Sequence, residues 1–128
     1  DVAREITSKN FETILCPGEK TYFDMAYNNS TEERGLSWAS TIEVKDIFHW
    51  IPDEKINNKN LIKGIQAQLW SETITNKEYF DEMINPRLAT LSEIAWKGKS
   101  MRSWNSYRNC LFNITNMLQK FGWNHHLF

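Results

Sequence analysis

The stretch LIKGIQAQLWSE, Leu61 to Glu72, restricts the fold more than any other part of the chain. Read as a strand, it puts Ile65, Ala67 and Leu69 on one face and Gln66, Gln68, Trp70 and Glu72 on the other, because successive side chains of a strand point to opposite sides. The polar face ends in a Trp and a Glu. A sandwich strand would turn its apolar face inward and leave such a polar end with nothing to do. A strand of a parallel (β/α)₈ barrel fits better, since helices cover its outer face and its C-terminal end opens into a site.

The remaining segments fit the same α/β design. Residues 1–10 have a helical pattern with Val2, Ala3 and Ile6 on one face. Thr13 to Cys16 is a short apolar run closed by Pro17-Gly18, a buried strand ending in a turn. Thr21 to Tyr27 reads as a second extended segment, residues 28–34 as a polar loop, and Thr41 to Trp50 as a short amphipathic helix stopped before Pro52. After the long strand come helices. Asn76 to Ile84 forms one, and Asn85-Pro86 suggests an N-cap and N1 pair for a second, with Leu88, Leu91, Ile94 and Ala95 inward and Gly98 as its stop. The last helix carries Trp104, Tyr107, Leu111, Ile114, Leu118 and Phe121 at spacings of three or four, a core-facing stripe, with Gly122 as its C-cap. The order is helix, strand, helix, strand, helices. Two βα units cannot close a barrel, so the expected architecture is the last two units of a (β/α)₈ barrel plus C-terminal helices.

Composition narrows the functional classes. A net charge of -1 over 128 residues lacks the Lys and Arg excess that neutralises phosphates, which argues against nucleic acid as partner. No run of 18 apolar residues is present, so no membrane-spanning helix is expected. The start Asp1-Val2-Ala3 carries neither an initiator Met nor a signal pattern, as in a mature or excised segment. Cys16 and Cys110 form neither a disulfide framework nor a zinc pattern and read as buried free thiols. Sequons at Asn28, Asn29 and Asn113 do not decide the compartment. Six Trp in so short a chain suit a large aromatic core, or a pocket whose indole faces meet the C–H face of a sugar.

Four motifs, in order and covering nearly the whole chain, resemble family 20 glycoside hydrolases, the β-N-acetylhexosaminidases. ETILCPGEKTYFDMAY resembles the seventh barrel strand and its loop; GLSWAS with TIEVKDIFHWIP resembles the loop and helix that follow. GIQAQLWSE resembles the eighth strand, NPRLATLSEIAW the helix ending the barrel, and RSWNSYRNCLFNITNMLQKFGWNH the terminal helix. The resemblance implies substrate-assisted retaining hydrolysis, an exception to the two-carboxylate scheme. The substrate's acetamido oxygen attacks the anomeric carbon, a Glu protonates the leaving oxygen, and an adjacent Asp holds the acetamido N–H. That Asp-Glu pair sits on the fourth strand, and no segment of this chain corresponds to it. Neither Asp53-Glu54, in a surface loop, nor Asp81-Glu82, on a helix beyond the barrel, takes its place.

By the same resemblance Tyr22 matches the tyrosine that donates to the acetamido oxygen, and Asp24 a carboxylate accepting from sugar hydroxyls. Trp38 and Trp70 match walls of the aromatic box, and Glu72 the carboxylate at the far edge of an exo-bound terminal sugar. No cofactor or metal is implied, and the family's habit points to a periplasmic, secreted or lysosomal setting. The implied partners are an N-acetylhexosamine-containing glycan and the rest of the barrel, or another copy paired through the sheet edges. Taken alone, each residue also has a packing explanation: Tyr22 as a core tyrosine, Asp24 as a turn former, Trp38 as filler beneath its loop. Arg87 reads as half of a structural ion pair, and the His125-His126 pair as a solvated tail. The competing class is a stand-alone, non-catalytic module binding sugar or protein through its Trp-rich surface.

Overall fold

In the computed structural model, residues 2–97 and 103–128 are described; the helix stop expected at Gly98 lies outside them. The chain is α/β. Helix α1 (Val2–Ser8) leads into strand β1 (Thr13–Leu15), a short helix α2 (Gly18–Thr21) and helix α3 (Val44–Phe48). Strand β2 (Ile62–Ile65) precedes α4 (Lys77–Ile84), α5 (Arg87–Lys97) and α6 (Trp104–Lys120). The strands pair in parallel, with Thr13 opposite Ile62 and Leu15 opposite Ile65.

The regular strand is shorter than the alternation predicts, and the cause lies in its partner. Gln66 N still donates to Leu15 O at 2.9 Å. Beyond it the neighbouring chain reaches Pro17, which has no N–H, and coils into α2. Pairing resumes at Tyr22: Gln68 N donates to Thr21 O (2.9 Å) and Phe23 N to Gln68 O (2.7 Å). The segment expected to be extended from Thr21 is therefore a helix end, then two isolated bridges, Tyr22 with Gln68 and Met25 with Leu36.

The two faces separate as the alternation requires. Ile65, Ala67 and Leu69 pack against a cluster of Phe23, Met25, Ile42, Ile47 and Leu91, while Gln66, Trp70 and Glu72 are exposed. A second cluster joins Tyr27, Val44, Phe48, Tyr107 and Leu111, which seats α6 against α3. Each such side chain withdrawn from water contributes on the order of 1.5–3 kcal/mol before ordering costs. The α6 stripe is core-facing over most of its length, but its end departs from expectation: Phe121 is 75% exposed. On α5, Leu91 and Ile94 are buried, whereas Leu88 and Ala95 face outward.

Caps fix the helix ends. Asn76 accepts from Tyr79 N (2.9 Å) to start α4, and Ser103 from Ser106 N (3.2 Å) to start α6. Gly122, at φ 78°, ends α6, with Trp123 N bonded back to Leu118 O at 3.0 Å. Asn85 serves differently from the expected cap of α5. It closes α4, its Nδ2 donates to Asn124 O at 3.3 Å, and the Asn85–Pro86 bond is cis. Cys16 and Cys110 form no disulfide among the described residues, and both are only half-buried.

Gly35 has a measurable consequence. Its φ is +111°, and a Cβ there would lie 2.7 Å from both Ala26 N and Asp24 O. Gly35→Ala should lower stability by about 1–3 kcal/mol from backbone strain alone, with the clash added. Urea unfolding checks this, and a midpoint equal to the parent's would mean the loop rearranges freely.

Candidate functional site

The C-terminal ends of the parallel pair bring four of the five sequence-predicted residues together. Tyr22 sits where pairing resumes beside Gln68, half-buried, with its ring edge-on to Trp38 at 5.9 Å and 76°. Asp24 is 1% exposed, and its Oδ1 is 3.5 Å from Trp70 N, standing in for a ladder acceptor. Its backbone carbonyl accepts from Leu36 N at 2.8 Å, which sets the loop that presents Trp38 two residues later. Trp38 and Trp70 are 69% and 51% exposed. Glu72 follows Trp70 by two residues and is exposed. Large indoles left open beside a buried carboxylate and a tyrosine form a surface that can receive a flat, hydroxylated ligand.

Arg87, expected as half of an ion pair, is bound to backbone carbonyls. It is fully buried and donates through Nη2 to Phe23 O (2.7 Å) and Met83 O (2.7 Å). Nη1 reaches Met25 O (2.7 Å) and Ile42 O (3.3 Å), and Nε reaches Met83 O (3.0 Å). Phe23 and Met25 flank Asp24, so one guanidinium holds the backbone on both sides of the buried carboxylate. Its Cζ also lies 3.8 Å over the Tyr27 ring. Burial pulls the Arg87 pKa down, but a guanidinium remains charged in proteins. Burial pushes the Tyr27 phenol up, so its hydroxyl stays protonated and donates to Glu82 O (2.8 Å) and Asn85 O (3.0 Å).

The tail is not solvated as the His pair suggested. His126 stacks on Tyr27 with centroids 3.7 Å apart and planes 5° off parallel, and its Nε2 lies 3.0 Å from Glu33 Oε1. The acidic pairs set aside from catalysis are used structurally: Asp53 pairs with Lys59 (3.1 Å), and Asp81 is buried beneath Lys77 and Asn124 N. Asn124 Nδ2 occupies Glu82 Oε1 at 2.8 Å. Among the described residues no group of three or more His, Cys, Asp or Glu could hold a metal ion, and no helix is long and apolar enough to cross a membrane. One signal could have exposed the Arg87 hub: Arg87, Leu91 and Ile94 share the helical spacing of one face, so the Arg enters the core with them.

Comparison with known proteins identifies the setting. The description glycosyl hydrolase family 20, catalytic domain, matches residues 1–99. A beta-N-acetylhexosaminidase of Cellulomonas fimi is 35% identical over 96 residues, 73% of this chain and 19% of that protein. An N,N'-diacetylchitobiase of Vibrio harveyi is 29% identical over 112 residues, 72% of this chain and 13% of that one. The structure of a family 20 exo beta-N-acetylglucosaminidase from Vibrio harveyi, in complex with N-acetylglucosamine, superposes with a TM-score of 0.90 at 30% identity. That likeness covers 98% of this chain and 20% of the other. The family 20 beta-N-acetylhexosaminidase of Streptomyces coelicolor gives 0.87 at 28% identity, covering 98% of this chain and 26% of its own. The chain thus spans between 13% and 26% of the length of these relatives. By sequence over residues 1–99 and by fold over nearly its whole length, the chain belongs to glycosyl hydrolase family 20.

Proposed function

We propose that this chain is the closing part of the catalytic barrel of an exo-β-N-acetylhexosaminidase, contributing the seventh and eighth βα units and much of the sugar pocket. The observation that carries this reading is the meeting of Tyr22, Trp38, Asp24 and Trp70 at the C-terminal ends of a parallel strand pair. In barrel enzymes that end carries the chemistry. The likeness to family 20 enzymes supports it further.

In this reading the Tyr22 hydroxyl donates to the acetamido oxygen of the substrate and holds it for attack on the anomeric carbon. Trp38 and Trp70 enclose the acetamido methyl and the ring face, and Asp24 and Glu72 accept from hydroxyls of the terminal sugar. The leaving oxygen is protonated by a Glu, and the acetamido N–H held by an Asp, both outside this chain. The reading frame upstream should therefore encode six further βα units with an adjacent Asp-Glu pair on the fourth strand. A frame lacking them would favour a non-catalytic binding module.

Tyr22→Phe tests the assignment in the full-length enzyme. Its hydrogen bond strengthens as the acetamido oxygen takes part in ring closure, so the loss falls on the transition state. On a p-nitrophenyl N-acetylglucosaminide kcat should drop about 10²-fold or more, with KM changed much less. An unchanged kcat would refute the role given to Tyr22.

A further inference from the structure

We infer that His126 is a positioning residue for the candidate sugar pocket, acting through Tyr27 and Arg87 on the backbone around Asp24. The inference rests on the function proposed above but invokes a residue beyond the stretch matched by the family. The three side chains form a column. The His126 imidazole lies flat on Tyr27 at 3.7 Å, and the Arg87 guanidinium lies 3.8 Å over the same ring. Arg87 then donates to Phe23 O and Met25 O, both at 2.7 Å, on either side of Asp24. The column leads from the C-terminal tail into the core and ends beside the carboxylate.

His126 is also fixed from two directions. Its backbone N donates to Asn85 O (3.0 Å), the carbonyl that receives the Tyr27 hydroxyl at the end of α4. Its Nε2 faces Glu33 at 3.0 and 3.2 Å. A carboxylate only accepts, so Nε2 carries the proton. Glu33 belongs to the excursion between Met25 and Leu36, two residues joined by a bridge. Within it Arg34 covers the Tyr79 ring of α4 at 3.1 Å. Leu36 N and O bond to Asp24 O and Ala26 N at 2.8 and 2.7 Å. One imidazole therefore braces both the segment holding Asp24 and the loop leading to Trp38. Tyr27, its ring face covered by His126, is only 3% exposed. Without the imidazole that face opens to water, and the column loses its outer stop.

The test is His126→Ala, Glu33→Ala and the double variant in the full-length protein, assayed with an aryl N-acetylglucosaminide. Asp24 grips sugar hydroxyls alike in ground and transition states, so a loosened Asp24 segment should raise KM about 5- to 10-fold with kcat within about twofold. Glu33→Ala should give a smaller rise, because it leaves the imidazole stacked on Tyr27, and the two effects should be less than additive in the double variant, because both remove the His126–Glu33 contact. Amide hydrogen exchange at Met25, Ala26 and Leu36 should quicken in His126→Ala and stay unchanged in α5. KM equal to the parent's, or kcat falling as far as kcat/KM, would overturn the inference. So would exchange raised uniformly along the chain, the mark of a merely structural role. Should His126→Ala not fold, His126→Gln keeps the donor to Glu33 while losing the stack. It should raise KM while the exchange of residues 28–34 stays near the parent's, and an unchanged KM would again overturn the inference. If the parent itself hydrolyses no N-acetylhexosaminide, the proposed function fails, and the exchange pattern still decides for or against the column.

Discussion

Arg87→Met should lower the stability of the protein by about 3–5 kcal/mol, from two or three buried carbonyls left without their donor. The methionine fills most of the space but donates nothing. The carbonyls of Phe23, Met25 and Met83, each 2.7 Å from the guanidinium, then lose that donor inside the core. Each buried acceptor left without a partner costs roughly 1–3 kcal/mol, so two or three account for the expected loss. Arg87→Lys should recover little. An ammonium is a point charge without the planar fork that reaches several carbonyls at once. Urea denaturation decides: the midpoint should fall with the slope unchanged. A loss below about 1 kcal/mol would mean that water or a backbone shift satisfies these carbonyls. Because the Phe23 and Met25 carbonyls flank Asp24, partial destabilisation should be accompanied by weaker sugar binding.

Sequence reasoning reached the parts of the molecule governed by local rules. The alternation in Gln66 to Glu72 separated the packed from the open face because a strand's period holds whatever its partner does. The stop at Gly122 follows from unpaired helix-end groups that a short stretch of chain satisfies itself. What escaped depends on partners distant in sequence. The strand stops at Ile65 because its neighbour meets Pro17 and coils, a fact about residues some fifty positions away. The sequence points Arg87 to an ion pair because a lone Arg most often finds a carboxylate. Its actual partners are carbonyls, which no residue letter advertises. His126 looked like a solvated tail because two adjacent histidines near a terminus have no local reason to be ordered; Tyr27 and Glu33, 99 and 93 positions earlier, supply it. The candidate site falls between these cases. The resemblance supplied the residue types, and the approach of Tyr22 to Trp38 and of Asp24 to Trp70 depends on the resumed pairing at Gln68.

The isolated 128-residue chain should show no hydrolysis of N-acetylhexosaminides above background, and it should self-associate. On the proposed mechanism the leaving oxygen must be protonated as the glycosidic bond breaks. General acid catalysis is commonly worth about 10²–10⁴-fold, and in the proposed assignment the Glu that supplies it lies outside these residues. The Asp that would hold the acetamido N–H is missing with it, so the pocket residues retained here could at best bind sugar weakly. The physical surface makes the second half of the prediction. Among the described residues strand β1 pairs with β2 alone, and Ile14 on β1 is 56% exposed. Beside β1 runs a groove of about 740 Å³, lined by Ile6, Ile14, Leu15, Trp50 and Ile56 among others. An unpaired parallel edge next to apolar surface is a template for another strand. In a complete barrel we expect the sixth strand and its helix to fill that place; in the isolated chain a second copy is the available substitute. A fluorogenic N-acetylglucosaminide assay and light scattering on the same preparation separate the possibilities. Turnover in material free of longer enzyme would place a working acid within these 128 residues and overturn the division of labour proposed for the pocket. A monomer at all concentrations, with no turnover, would leave the chemistry standing but show that the edge of β1 is closed by the chain itself.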